Sequence, residues 1–437
     1  MAEPDVVELC ARLLRFDTTN RGDGDAEGER PAAEYVAGLL TDAGLVPELY
    51  ESAPGRASVV ARMAGADRSL PALLVQGHLD VVPADATAWT VPPFSGEIRD
   101  GCLWGRGAVD MKDFCATVLA AIHAMTRDGR TPRRDIVFAF LADEEDRGEY
   151  GAHWLVEHHP GLFEGCQVAI SESGGYTYHV PTDGGTVRLY PVATAERGTA
   201  HMRLTAHGRA GHGSRRNEEN AVNRLVAALR RLAEHEWPVR LTPAVRAFLE
   251  RAGAAVGTPP DLSTSDGVLA ALAALGPAAG LADSTVRNST TPTMLDAGYK
   301  VNVIPSTAHA QVDTRVLPGT EDEFLAAVDE LLGPHVRREF VAHQPPVQAS
   351  VDSPWFDAMA CALRAEDPDA VVVPYCMGGG TDAKAFTPLG IECYGFAPLW
   401  LPEGFPYRQL AHGVDERVPV EGLRFGTRVV EHFLTHC

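Results

Sequence analysis

Two histidines and a set of carboxylates, each placed at the end of an apolar run, carry the chemistry of this sequence. His78 and Asp80 follow the run at residues 72–76 in Gly77-His78-Leu79-Asp80, and Asp110 closes Gly105-Arg106-Gly107-Ala108-Val109-Asp110 before a long amphipathic stretch. Asp143-Glu144-Glu145-Asp146 follows the run at 134–141, Glu172 follows the run at 167–171, and His412 sits far downstream in a loop before the last helix. A lone histidine at a strand end is ordinarily structural, and an acidic run is ordinarily a solvated turn. Arrival of all of them at one sheet edge is harder to dismiss. Two imidazoles with several carboxylates suit one or two divalent transition metals, zinc foremost, with cobalt and manganese accepting the same donors. A carboxylate shared by two ions leaves room for a water that the metals acidify into a nucleophile. Neighbours in an extended chain point to opposite faces, so Glu144 and Glu145 are expected to differ in role.

The elements that must position these groups alternate. Short apolar runs at 72–76, 134–141 and 167–171 read as strands, and amphipathic stretches at 113–126 and 152–157 read as the helices between them; 6–16 and 31–43 are further helices. Strand and helix in alternation imply a largely parallel sheet covered on both faces, with ligands beyond the carboxyl ends of its strands. Past residue 197 the texture changes. Residues 199–206, 300–304 and 308–316 read as strands and 221–232 and 321–332 as helices, an α+β unit with helices on one face, and 242–284 reads as a helical excursion within it. Helix, strand and glycine-rich loop return from about 354, ending in a helix from 420. The expected fold is thus α/β, with a catalytic domain of residues 1–197 and 349–437 and an inserted α+β domain of residues 198–348.

Length and composition bound the rest. The 437 residues make about two to three typical domains, and 45% hydrophobic with 22% charged residues is the balance of an ordinary folded protein. A net charge of −21 repels phosphate backbones and anionic lipid, so neither nucleic acid nor membrane is expected as a partner. Eight scattered cysteines without a CxxC pair read as reduced, mostly buried thiols, and the acidic start Met1-Ala2-Glu3-Pro4-Asp5 lacks the basic and apolar regions of a signal peptide; a cytoplasmic location is expected.

The motifs GHLDVVP, GRGAVDMKD, ADEEDRGEYGA, SESGG, GRAGHGS, NVIP and AHGVDER occur in this order over most of the chain. In that set the sequence resembles the M20 family of metallopeptidases and amidohydrolases, which includes aminoacylases, succinyl-diaminopimelate desuccinylases and glutamate carboxypeptidases. The resemblance implies a di-zinc catalytic domain with an inserted lid that commonly forms a homodimer contact. It implies that His78 binds one metal and Asp110 bridges both, that Glu145 and His412 complete one set, and that Glu172 completes the other. Glu144 would be the general base. Asp80 would be the carboxylate that orients the His78 imidazole. On the lid, His212 matches a histidine that crosses from a partner subunit to polarise the scissile carbonyl. Asn302 and Arg315, read on successive strands, match oxyanion support and binding of the substrate carboxylate. Gly378-Gly379-Gly380-Thr381-Asp382-Ala383-Lys384 resembles the family's carboxylate-binding loop, with Gly379, Gly380, Thr381 and Lys384 as contacts. Many relatives carry arginine where this chain has Lys384, a point charge in place of a bidentate fork. The loop lacks the GxxxxGK[ST] and GxGxxG patterns of nucleotide sites.

These features imply a metal-dependent hydrolase of an amide bond beside a free carboxylate, as in an N-acyl amino acid or a short peptide. A dipeptidase or carboxypeptidase on the same scaffold is the alternative reading. A non-catalytic amino-acid or metal-binding relative is the remote one, and it would be expected to have lost Glu144 or a ligand position.

Overall fold

The computed structural model describes residues 5–437, so Met1 to Pro4 of the acidic start lie outside it. Its helices are α1 (Val6–Leu14), α2 (Arg30–Asp42), α3 (Lys112–Arg127), α4 (Ala152–His158), α5 (Ala221–Glu234), α6 (Pro243–Ala255), α7 (Ser265–Ala274), α8 (Glu321–Leu332), α9 (Pro354–Glu366), α10 (Ala383–Phe386), α11 (Tyr407–Leu410) and α12 (Val420–His436). The larger sheet is formed by β1 (Glu48–Ala53), β2 (Arg56–Met63), β3 (Ala72–His78), β4 (Ile136–Leu141), β5 (Cys166–Ser171), β6 (Tyr178–Thr182) and β7 (Gly185–Glu196). The smaller sheet takes β8 (Gly198–His207), β9 (Ser289–Ala297), β10 (Thr307–Val316) and β11 (Val336–Gln344), after which β12 (Val347–Gln348), β13 (Val371–Met377) and β14 (Glu392–Gly395) return to the larger one.

The larger sheet runs β1-β2-β4-β3-β5-β14-β7-β12, with β6 and β13 also paired to β7. Its centre, β4-β3-β5-β14, is parallel throughout. Every residue of β3 and β4 is buried, the continuous apolar run of strands covered on both faces. Helix α3 packs between α1 and α12 on one side, and α4 and α10 lie together on the other. Because β3, β4 and β5 are adjacent and parallel, their carboxyl ends deliver His78, the 143–146 turn and Glu172 to one edge, as the alternation of elements requires.

The smaller sheet is antiparallel in the order β9-β10-β8-β11. Along β10 buried and half-buried residues alternate strictly, and Leu225, Leu229, Phe324 and Val328 of α5 and α8 cover the buried face. The strand expected over 300–304 shrinks to Val303–Ile304, paired with Gly211–His212, because Val301 and Asn302 form a turn into it. The excursion at 242–284 differs in a larger way. It packs on the larger sheet, not on the inserted unit: Ala244, Val245, Phe248, Leu249 and Ala252 of α6 share one core with Leu189, Val192 and Val373. Its apolar face finds the cover it needs against β13 and β7. The eight cysteines are all free, with Cys361 exposed and Cys102 half-buried. No helix among the described residues is long and apolar enough to cross a membrane.

Phe248 is fully buried at the α6 contact. Replacing it with Ala removes a buried aromatic ring and is expected to cost about 3–5 kcal/mol, read as a lowered denaturation midpoint. Loss confined to a transition of the inserted unit, with the main transition unmoved, would contradict the packing of the excursion on the larger sheet.

Candidate metal centre and active site

The sheet edge brings together the two histidines and four carboxylates that the sequence singles out. His78, Asp110 and Glu172 form one group and Asp110, Glu145 and His412 a second, with the potential ligand atoms of each group within 4.8 Å of one another. Asp110 belongs to both. Its Oδ1 lies 3.1 Å from His78 Nε2, and its Oδ2 lies 3.1 Å from His412 Nε2. Glu145 Oε2 lies 3.0 Å from the same His412 nitrogen, and Glu144 Oε2 lies 3.9 Å from His78 Nε2. Glu144–Asp146 is a 3₁₀ turn and not the extended segment expected, so the two glutamates separate through the threefold turn of the backbone. They still face different neighbours.

Electrostatics set the demand on this site. Burial, then the nearby Glu172, lifts the Glu144 carboxyl well above its ordinary range; burial, then Asp110, does the same to Glu172, and Glu145 is raised by the same pair of causes. His412 is pushed up to about 10 by hydrogen bonds to Asp110 and Glu145. Glu145 Oε1 is buried without a hydrogen-bond partner. An orphaned carboxylate oxygen, a carboxylate divided between two imidazoles and mutual repulsion among buried acids are what a pair of divalent cations would relieve. The residues present therefore fit such ions.

Asp80 holds the turn in place. Its fully buried carboxylate accepts the amides of Glu144 and Glu145 at 3.1 Å each and the Asn20 side-chain amide at 2.9 Å. Burial alone would raise this carboxyl; the contacts with His78, Asn20 and the Glu145 amide hold it below the ordinary carboxylate range. The expected role of orienting His78 is met chiefly by the Asp80 backbone carbonyl, 3.0 Å from Nδ1, with the carboxylate at 3.4 Å. Other groups were given no individual role from the sequence. Asp143, in the left-handed region at φ 67°, accepts from Asn20, from the Tyr150 amide and from Arg56, which also binds Glu29. Glu416 accepts from Arg106 at 2.6 Å and from the Val109 amide at 2.8 Å, joining the approach to Asp110 to the segment bearing His412. Arg106 and Glu416 both stand inside motifs quoted above, so their signal was present in the sequence.

A cleft beside Glu144, Glu145 and His412 is bordered by Arg315, Lys384, Thr381, Gly380, His201 and Thr199. Arg315 turns its fork onto Asp313, at 2.8 and 3.1 Å, and its remaining nitrogen lies 3.4 Å from Thr199 Oγ1. Lys384 is buried, and its Nζ reaches the same hydroxyl at 3.4 Å. Thr381 donates its amide and hydroxyl to Glu196. Asp382, beside them, has its carboxyl pushed up to about 8 by burial, and one oxygen is without a partner. A Cβ on Gly148, already at φ 69°, would meet its other oxygen at 2.7 Å, so glycine there admits the acid. Gly379 borders a second cavity on the Asp110–Glu172 side. His212 and Asn302 border neither space. They lie together on the exposed ribbon of the inserted unit, where the Gly213 amide donates to the Asn302 carbonyl.

Known proteins place this geometry. A profile of peptidase family M20/M25/M40 matches residues 74–436. The N-fatty-acyl-amino acid synthase/hydrolase PM20D1 of Homo sapiens is 30% identical over 375 residues, 82% of this chain and 72% of that protein. Probable carboxypeptidase S-like 2 of Dictyostelium discoideum is 29% identical over 378 residues, 84% of this chain and 72% of its own. Among solved structures, the M20 family metallo-carboxypeptidase Sso-CP2 from Sulfolobus solfataricus superposes with a TM-score of 0.72 at 19% identity, covering 99% of this chain and 98% of that one, which establishes the common fold.

Replacing Asp80 with Ala removes the acceptor of both glutamate amides. Divalent-metal affinity is expected to fall about 10–100-fold, measured by titration against a buffered metal while circular dichroism reports the fold. Unchanged affinity would mean that the turn holds its shape without Asp80.

Proposed function

The chain belongs to peptidase family M20/M25/M40, and we propose that it hydrolyses the amide bond next to a free carboxylate, in an N-acyl amino acid or a short peptide. The observation that carries this reading is the division of Asp110 between two imidazoles with Glu144 beside them. In this reading His78, Asp110 and Glu172 hold one ion and Asp110, Glu145 and His412 the other, zinc being the first choice for such donors. A bound pair of this kind supplies a Lewis acid for the carbonyl and acidifies water.

The chain's own groups do the rest. Glu144, whose basicity is raised by burial and by Glu172, takes a proton from the attacking water and passes it to the leaving nitrogen. The water oxygen ends in the new carboxyl group, the C–N bond breaks, and the amine leaves with the proton. Asp80 fixes the turn that aims Glu144. Arg315 and Lys384, with Gly380 and Thr381 of the loop, are the groups for the substrate carboxylate, Gly379 facing the second cavity, and binding there would draw the Arg315 fork from Asp313. Residues 198–348, apart from the excursion, act as a lid over the catalytic part formed by 1–197 and 349–437. His212 and Asn302 then serve a second copy of the chain in a homodimer, since both stand on the exposed ribbon.

Glu144→Gln keeps the shape of the side chain and removes the base. Turnover of an N-acyl amino acid is expected to fall about 10²–10⁴-fold with metal content retained; metal loss in parallel would make Glu144 a ligand instead.

Mixing inactive His212→Ala with inactive Glu144→Gln tests the second copy. After random subunit exchange half the dimers are mixed and each has one intact site of two, so about a quarter of full activity should return. No recovery after demonstrated exchange would place His212 in its own chain's site or outside catalysis.

A further inference from the structure

The metal-ligand groups separate two cavities of unlike chemistry. The cationic one, about 360 Å³, is bordered by Glu144, Glu145, Arg315 and Lys384. The other, about 380 Å³, opens on the Asp110 and Glu172 side and is walled by Phe114, Tyr176, Tyr375, Tyr407, Met377 and Leu281. Tyr176 and Tyr407 face each other with ring centroids 4.6 Å apart, tilted by 40°, and Tyr375 is fixed by donating its hydroxyl to the Ser173 carbonyl at 2.7 Å. Rings held this way offer faces and edges to a further ring.

One wall of this cavity comes from the excursion. Leu281 and Ser284 border it, and the short helical segment Gly276–Leu281 is tied to the body by the Tyr178 hydroxyl donating to the Pro277 carbonyl and by Arg408 donating to the Gly280 carbonyl. The pocket is thus complete on the catalytic body without any contribution from the smaller sheet. Asp113 also borders it, with Oδ1 buried and unpartnered, and burial holds that carboxyl well above its ordinary range. Arg408 is exposed at the rim, where it donates to the Gly280 carbonyl. A second carboxylate inside the cavity would be desolvated against the ring wall.

We propose that this cavity receives the acyl side of the scissile amide and selects uncharged arylacyl groups, with the 276–284 segment as the specificity wall. The proposal rests on the amide-hydrolase reading above. With the substrate carboxylate in the cationic cleft, the carbonyl lies at the metal ligands and the acyl group points into the ring-lined space. The rings of Phe114, Tyr176, Tyr375 and Tyr407 offer an aryl group face and edge contacts that a plain alkyl chain does not use. The excursion therefore belongs to substrate choice.

The test compares N-acetyl, N-phenylacetyl, N-succinyl and N-palmitoyl derivatives of one amino acid on the zinc-loaded protein, in wild type and in Ser284→Trp, which projects a ring into the cavity from an exposed position. The phenylacetyl compound should exceed the acetyl one in kcat/KM by about 10–100-fold, and Ser284→Trp should cut that ratio at least about tenfold. A preference for the succinyl or palmitoyl compound, or an unchanged ratio in Ser284→Trp, would overturn the proposal. Turnover of none of the four, nor of dipeptides, would overturn the hydrolase reading instead. Calorimetric titration then still decides the pocket: tighter binding of the N-phenylacetyl than of the N-acetyl compound, abolished in Ser284→Trp, supports it, and equal binding refutes it.

Discussion

Buried like charge is the constraint around which this protein is arranged. Asp110, Glu144, Glu145 and Glu172 converge at the end of three strands, and Asp80 lies behind them. Two unit charges 4 Å apart interact by about 4 kcal/mol at an effective dielectric of 20, so each added carboxylate raises the cost of keeping the others ionised. The raised carboxyls of Glu144, Glu145 and Glu172 record that cost. Two imidazoles compensate part of it. The rest is met by proton uptake or by bound cations, which couples any metal binding to the shape of this edge.

The surroundings resist the repulsion with fixed geometry. Asp80 grips the backbone of the glutamate turn, Arg56 joins Glu29 to Asp143 just ahead of it, and Arg106 with Glu416 ties the Asp110 loop to the His412 segment. Residues 417–419 pair antiparallel with residues 102–104, Arg417 opposite Trp104, so the two loops approach as one piece. Buried ion pairs of this kind contribute little net stability compared with apolar substitutes. Their use here is positional: a ligand displaced by an ångström would loosen both metal groups, because Asp110 belongs to each.

How much of this was legible follows from what each signal encodes. Strand-end residues such as His78 and Glu172 were readable because parallel alternation fixes where strand ends go. Asp80 was readable as a partner of the site but not in its manner of acting, since acceptance of two backbone amides depends on a turn whose 3₁₀ form the side chains do not announce. The excursion was read as part of the inserted unit and packs on the larger sheet, because an amphipathic helix states that one face needs cover, not which sheet provides it. Strand β9 escaped notice for a different reason. It is an edge strand carrying Pro292, with seven of its nine residues exposed, so it has no buried alternation to read. Arg315 was expected to await a carboxylate and already holds one from Asp313, two residues away on its own strand. The resemblance supplied the position; only the structure supplied the competitor.

That competitor lies at the crossing between the two sheets, and the crossing is short. Strand β7 ends at Glu196 and β8 begins at Gly198, leaving Arg197 as the link. Glu196 takes both hydrogen bonds of Thr381, while Thr199 draws together Lys384 from the body and Arg315 from the smaller sheet. The cations proposed for the substrate carboxylate therefore straddle a place where the two units are joined, one anchored on each. A carboxylate bound between them would touch both units at once, and the affinity gained would favour whichever relative orientation brings the two charges nearest. Closure and carboxylate recognition would then be the same event, while the ring-lined cavity, built wholly on the body, stands formed before it.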